Sequence, residues 1–178
     1  MSLPGRFLAE LEACTPSRER EQFLALAASS ENAHLKSSGP VHFTASGIVI
    51  DASGRFVALH HHRKVGAWLQ FGGHIDEGEE SFEGAARREV FEESGLEALE
   101  IVGNAPFKLH AHTLNKNFTV CSEHWDVQYL MRAAMTPTGP TDALRLSEES
   151  HDVRWWRLDA LPAGVVPDLV PTLERLRT

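Results

Sequence analysis

The sequence predicts an α/β fold in which helices pack against a mixed sheet. Three observations point there: helical periodicity near the N-terminus, alternating apolar runs from residue 41 onward, and a well-bounded helical segment at residues 81–95 that interrupts those runs. Residues 5–13 and 17–29 carry the helical pattern, the second introduced by Pro16-Ser17 with Glu19 and Glu21 in its first turn, where acidic side chains complement the helix dipole. Residues 41–50 and 55–60 are β-type runs, and Asp51-Ala52-Ser53-Gly54 between them is a hairpin signal. A third short strand is expected near residues 68–71, running into Gly72-Gly73. Ser81 supplies an N-cap and Gly95 a C-terminal glycine for the central helix. Residues 99–113 and 118–133 read as two long strands, 153–158 as another, and 168–177 as a terminal helix capped by Asp168. Pro137, Gly139 and Pro140 mark a loop over residues 136–147, the best candidate for a mobile substrate-side segment. No internal repeat is present.

The central helix carries Glu89, Glu92 and Glu93 directly after Arg87-Arg88. Spaced i, i+3 and i+4, the three carboxylates leave one face within reach of each other, where like charges repel. Winding the helix at about 100° per residue sets Phe82, Ala85, Ala86 and Leu96 on the glutamate side and Arg87, Phe91 and Ser94 opposite. A solvated acidic face laced by pairs such as Glu83 with Arg87 is the ordinary reading of such a helix. Carboxylates at the edge of an apolar stripe favour another, because they are costly unless a cation compensates them, and hard divalent ions take oxygen ligands. Gly72-Gly73, followed by Gly78, allows backbone groups to approach a metal or phosphate unobstructed.

The segment from Gly73 to Leu96 resembles the signature of the Nudix hydrolases, G-x5-E-x7-R-E-U-x-E-E-x-G-U with U aliphatic. Arg88, Glu89, Val90, Glu92, Glu93, Gly95 and Leu96 match its second half without a gap, while the first half holds one extra residue. Counting forward from Gly73 gives Glu79 as the first motif glutamate, and counting back from Arg88 gives Glu80. Because Ser81 best caps the helix, the extra residue is placed in the loop and Glu80 is favoured as the motif glutamate, with Glu79 or Glu80 open as the partner of Arg88. Phe71 stands where such sequences often have proline.

The resemblance implies an α/β/α sandwich that hydrolyses a diphosphate linkage in a nucleoside diphosphate joined to another moiety, using Mg2+ (or Mn2+). It implies metal ligation by Glu89, Glu92, Glu93 and the Gly73 carbonyl, with Glu92 or Glu93 doubling as base and Arg88 orienting the carboxylates. Physically, a divalent ion neutralises phosphate oxygens and lowers the pKa of water, and a nearby carboxylate accepts the proton. Many relatives take a further acid from a loop outside the signature; Glu148 and Glu149, in the turn before the strand at 153–158, are the candidates, and Glu148 is the one chosen. Two other classes remain on the same scaffold. One is a nucleotide-binding or regulatory module without hydrolysis, and the other is a prenyl diphosphate isomerase. The isomerase needs a protein acid facing the substrate, and neither Cys14 nor Cys121 lies in the loop before the motif.

Outside the signature, Arg63 and Lys64 precede the glycines in a turn and can meet substrate phosphates, although a solvated turn explains them equally. Trp68 can stack a base or pack in the core. His110 and His112 share a strand face at period two, and His124 with Asp126 does the same on the neighbouring strand, which makes a cluster able to bind a softer metal or donate to phosphate. Trp155 and Trp156 point to opposite sides of their strand.

At 178 residues with 42% hydrophobic content, the chain can bury a core as a single domain, residues 1–178, with a helical N-terminal extension (1–40) and a catalytic core (41–178). Three roles are open to the extension: covering the sheet, building a homodimer interface, or walling the cleft. Two cysteines make no disulfide framework, and no basic-then-apolar leader or membrane-length run occurs, so a cytoplasmic protein is expected. A net charge of -8 disfavours nucleic acid and favours a small phosphorylated substrate, a nucleotide derivative.

Overall fold

The computed structural model describes residues 3–114, 121–134 and 144–177. Helices α1 (Gly5–Ala13) and α2 (Arg18–Ser29) occupy the expected spans, and the Ser17 hydroxyl caps α2 by accepting from the Arg20 N–H at 3.1 Å. Strands β1 (Val41–Ile50) and β2 (Phe56–His62) flank a turn organised by Asp51, whose carboxylate accepts from the N–H groups of Ser53, Arg55 and Phe56. The expected third strand is two strands, β3 (Ala67–Leu69) pairing with β2 and β4 (Phe71–His74) pairing with β1. Helix α3 (Phe82–Ser94) begins at Ser81, whose Oγ accepts from the Gly84 N–H at 3.0 Å, and ends at Gly95, whose φ of 78° reverses the chain.

The expected strand over 99–113 is likewise divided, into β5 (Leu99–Ile101) and β6 (Lys108–Thr113). Gly103, at φ 94°, and the Asn-Ala-Pro that follows turn the chain between them, and the flanking apolar residues mask that signal in the sequence. Strand β7 (Glu123–Ala133) supplies the described part of the next expected strand, whose predicted start at 118 lies outside the described residues, as does most of the loop 136–147. Strand β8 (Ser150–Arg157) follows. The terminal helix α4 (Val170–Arg175) is shorter than expected, and Leu169 rather than Asp168 is its N-cap residue. Asp168 is used elsewhere: its carboxylate lies 3.7 Å from His110 Nε2, and its carbonyl accepts from Lys108 Nζ at 3.3 Å.

The sheet is mixed because β1 and β7 run parallel, paired from Val41 with Glu123 to Ile50 with Arg132, while the other pairings are antiparallel. Each of these two strands changes partner along its outer edge. Residues 44–47 of β1 pair with β4 and 49–50 with β2; residues 123–128 of β7 pair with β6 and 131–133 with β5. Period-two alternation sorts the side chains into two layers. Phe43, Ala45 and Val49 join a core with α1, α2 and α3, whereas Ile48 and Ile50 join a second core with Leu169 and Leu173 around α4. Trp155 packs on the first layer and Trp156 on the second, as alternation requires.

On the second face both central strands change character at the same level. Ile48 and Leu130 are apolar partners, while Ser46 with Gln128, Thr44 with Asp126 and His42 with His124 are polar. Helix α4 covers the apolar half, and the polar half borders a cleft of about 400 Å³.

Of the three roles open to the N-terminal extension, covering the sheet is observed, and Lys36 also lines the cleft. Leu3, Phe7, Leu11, Phe23 and Ala27 are buried in the same cluster as Phe43, Phe82 and Val127. The extension also caps α3, since the Glu10 carboxylate accepts from the N–H groups of Phe82 at 2.7 Å and Glu83 at 3.2 Å. Burial raises the Glu10 carboxyl above its ordinary value, and those two N–H groups pull it back down. Replacing Glu10 with alanine strips two helix-end donors of their acceptor, so Glu10→Ala is expected to lower stability by roughly 1–3 kcal/mol. Denaturant unfolding checks it, and an unchanged midpoint would show that Ser81 alone suffices.

Candidate active site

The three glutamates of α3 occupy different environments. The Glu93 side chain is 5% exposed and Glu89 13%, whereas Glu92 is 54% exposed at the rim. The expected winding therefore needs two corrections: Glu92 does not share the buried side, and Ser94, expected opposite, is fully buried, donating through its hydroxyl to the Val90 carbonyl at 2.6 Å. The buried stripe follows Ala86, Val90 and Ser94 at i, i+4 spacing, with Glu93 on its flank.

Backbone of β4 lies against the two buried carboxylates. The Gly72 N–H donates to Glu93 Oε2 at 2.8 Å, and a Cβ placed on Gly73 would sit 2.7 Å from Glu89 Oε1. Removal from water pushes the Glu93 carboxyl up to about 9, the Gly72 N–H lowering it only partly and the nearby carboxylates of Glu89, Glu149 and Glu92 adding to the rise. Glu89 is raised to about 7, again chiefly by burial, against the pull of Arg88. His60 Nδ1 lies 3.5 Å from Glu93 Oε1, yet burial lowers that imidazole to about 3, so it is neutral and supplies no counter-charge.

Arg88 is held by Glu79, not by the favoured Glu80. Its Nε and Nη2 donate to the two Glu79 carboxylate oxygens at 3.0 Å each, a bidentate pair, and Nη2 also donates to the His74 carbonyl at 2.8 Å. Nη1 reaches Glu89 at 2.9 Å and Glu92 at 3.1 Å. Burial works against the charge of Arg88, and Glu79 and Glu89 outweigh it, so the guanidinium stays protonated. The physical reason for the correction lies in the loop: Gly78, at φ 91°, turns the chain, and the Glu79 carboxylate accepts from the Asp76 N–H at 2.8 Å, which fixes the loop on itself. Spacing from the glycines is thereby preserved. The extra residue falls after Glu79, at the exposed Glu80 just before the helix cap.

Across the cleft, Glu149 rather than Glu148 faces the site. Glu149 Oε2 lies 3.5 Å from His62 Nε2, and one ligand atom each of His62, Glu93 and Glu149 lie within 4.8 Å of one another. Glu148 is exposed and does not line the cleft. Arg63 explains the choice: its N–H donates to the Glu149 carbonyl at 2.8 Å and its Nε to the Ser150 carbonyl at 3.0 Å, pinning the turn. Arg63 thus braces the site from outside the cleft, while Lys64 lines it together with Lys36 and Lys108. Trp68 is a packing residue, with its ring 5.2 Å from Trp156 edge-on and 5.4 Å from His61, within the second core. His110, His112 and His124 all line the cleft, with His112 opposite His124 and His110 opposite Asp126.

Sequence reading chose Glu148 over its neighbour Glu149, and missed His62, Lys36, His42, His74 and the approach of Cys121, whose Sγ lies 3.7 Å from His74 Nε2. One signal was present: His42, Thr44 and Ser46 alternate on β1 as His124, Asp126 and Gln128 do on β7. Asp126 is the buried centre of that patch, accepting from Thr44 at 3.1 Å, Ser46 at 2.6 Å and Gln128 at 2.9 Å.

The residues present suit a hard divalent ion. The buried donors on α3 are carboxylate oxygens, Glu93 has a neutral imidazole as its neighbour, and the backbone at Gly73 is bare where a Cβ would meet Glu89.

Two outcomes follow. In metal-free protein Glu93 and Glu89 keep protons that the unfolded chain releases near its ordinary value of 4.5, so the stability these groups contribute is present in acid and is lost as pH rises through about 7 and about 9. Glu93→Gln is expected to raise the metal-free melting temperature at pH near 9 by ~3–8 °C while changing it little at pH near 5; thermal melts at both pH values check this, and an equal shift at both would contradict it. Gly73→Ala displaces Glu89 and is expected to reduce kcat on the order of a hundredfold with the circular dichroism spectrum retained. Kinetics of the folded variant checks it.

The NUDIX domain family model matches residues 40–176. Among curated proteins none matches the sequence. A NUDIX-family hydrolase from Clostridium perfringens superposes with a TM-score of 0.61 at 20% identity, over 76% of this chain and 95% of that one. An Ap4A hydrolase from C. elegans, in a binary complex, gives 0.57 at 21% identity over 75% and 93%. A MutT NUDIX hydrolase from Burkholderia pseudomallei gives 0.52 at 21% identity over 74% and 95%. At such identities the likeness of these structures is one of fold. The family match runs from the residue before β1 through α4, and the chain belongs to the NUDIX domain family.

Proposed function

We propose that this chain cleaves the diphosphate linkage of a nucleoside diphosphate joined to another moiety, with Mg2+ (or Mn2+) as cofactor. The observation that carries the reading is the pair of buried carboxyls, Glu89 and Glu93, set against the bare backbone of Gly72-Gly73 at the edge of the cleft. Glu89, Glu93, the rim residue Glu92 and the Gly73 carbonyl would hold the ion, with Glu149 reaching the site from the other lip. When bound, the ion supplies charge neutralisation at phosphate oxygens and acidifies water.

The chain's own groups divide the remaining work. Lys36 and Lys64 give the cleft a positive lining inside a protein of net charge -8, which suits a small polyanion. Arg88 is a positioning residue, since among the described residues its contacts are to Glu79, Glu89, Glu92, Asp76 and the His74 carbonyl. Glu93 is tethered to Gly72, so the proton of the attacking water falls to Glu149, 61% exposed at the cleft. Water's oxygen bonds to one phosphorus, the bridging P–O bond breaks, and the departing phosphate carries the bond's electron pair. His110 and His112 offer donors along the far wall for the nucleotide portion. The free Cys14 and Cys121 agree with a reducing cytoplasm as the setting.

Chromatography of products from a panel of dinucleotides, nucleotide sugars and nucleoside triphosphates, with Mg2+, tests the reading. Nucleotide products should appear and fall at least about a hundredfold in Glu93→Gln and in Glu149→Gln. Turnover indifferent to Glu93→Gln would sink it, and ligand-induced melting shifts without turnover would put a binding module in its place.

A further inference from the structure

We propose a second metal site, separate from the carboxylates of α3, in which His42, His74, Cys121 and His124 bind one Zn2+. One ligand atom from each of the four lies within 4.8 Å of all the others. A tetrahedral zinc with nitrogen and sulfur ligands at ~2.0–2.3 Å has ligand-to-ligand edges of roughly 3.3–3.8 Å. The Cys121 Sγ to His74 Nε2 distance, 3.7 Å, already equals such an edge. The remaining separations, each within 4.8 Å, close with a contraction of at most about 1.5 Å, within the reach of side-chain rotation.

Strand register assembles the group. His42 and His124 are direct partners in the parallel β1–β7 pair, and His74 sits opposite Thr44 on the other edge of β1, two residues along the same face. The three imidazoles form a near-equilateral triangle, with ring centres 5.2, 5.1 and 5.0 Å apart. Cys121 completes it from just before β7.

A second observation points to a ligand. His42 is fully buried, and its Nδ1 donates to the Gly39 carbonyl at 2.8 Å, which makes that nitrogen the protonated one. Its Nε2 is consequently a lone pair, buried with no hydrogen-bond partner among the described residues. This is the arrangement a metal-binding imidazole requires, one nitrogen fixed by a backbone carbonyl and the other presented to the ion. Lys36 lies close enough to oppose positive charge on all three histidines. Nitrogen and thiolate donors hold zinc against such a neighbour, whereas Mg2+ demands oxygen. Binding releases the Cys121 thiol proton to solvent as the sulfur becomes a thiolate ligand. Four protein donors leave no open position, so the ion is structural: it ties β1, β4 and the approach to β7, and through His74 it fixes Gly73 against α3.

Titration of the untagged full chain with Co2+ and with Zn2+, in excess Mg2+, tests the site. One equivalent should bind with a thiolate-to-cobalt charge-transfer band that Cys121→Ser abolishes. His42→Gln and His124→Gln should lose at least about a hundredfold in zinc affinity, more than loss of an outer hydrogen-bond partner costs. Glu93→Gln should keep both band and affinity. A cobalt spectrum without the sulfur band, or zinc binding that survives Cys121→Ser and fails in Glu93→Gln, would overturn the proposal. Should the variants not fold, the presence or absence of the band in the wild-type chain decides.

Discussion

The parallel pairing of β1 with β7 is the constraint on which the rest of this structure depends. Ten successive residue pairs in one register place His42 beside His124, Thr44 beside Asp126 and Ser46 beside Gln128, then Ile48 beside Leu130. A slip of one residue would exchange the two faces of a strand, driving the polar patch into the aromatic core that α1, α2 and α3 cover. Because both strands turn from polar to apolar at the same level, the cleft and the packing surface for α4 divide cleanly. Partner exchange along the outer edges then brings in β4 with its glycines on one side and β6 with its histidines on the other.

Helix α3 is held to this frame under electrostatic tension. Its apolar residues Phe82, Ala85, Ala86 and Val90 are fully buried, and the same packing carries Glu89 and Glu93 out of water. Arg88 offsets part of the charge through a fork gripping Glu79 and a third nitrogen reaching Glu89 and Glu92. Among the described residues Glu93 gets a single backbone donor and a neutral histidine. Natural sequences keep such destabilised groups where function needs them, and the surrounding core sustains the strain. Here that support includes Glu10 from the N-terminal extension, which caps the very helix whose far end bears the buried acids.

Local signals made much of this legible in the sequence. Caps at Ser17, Ser81 and Gly95 bounded α2 and α3, alternation and the Asp51 turn bounded β1 and β2, and the spacing of Arg88, Glu89, Glu92 and Glu93 led to the family. What escaped was non-local. Glu149 reaches the cleft because Arg63 pins its turn, and Cys121 meets His74 because β1 stands between their strands, neither of which any window of sequence contains. Trp68 was ambiguous for the same reason: its role is set by Trp156, far along the chain. Asp168 shows local reasoning defeated by competition, since a good capping residue is drawn instead toward His110 while Leu169 takes the cap position.

The residue inserted after Glu79 divides the signature into two segments joined by a short link. One runs from the glycines through the Gly78 turn to Glu79, stiffened by the Asp76 N–H; the other is the helix from Ser81 onward. Each keeps its internal spacing, and the ion pair of Glu79 with Arg88 welds them whatever lies between. The longer connection leaves the contact of Glu79 with Arg88 intact, and a pattern search that fixes the distance from glycine to arginine will pass over such a chain, whereas one that treats the halves as separate words will find it.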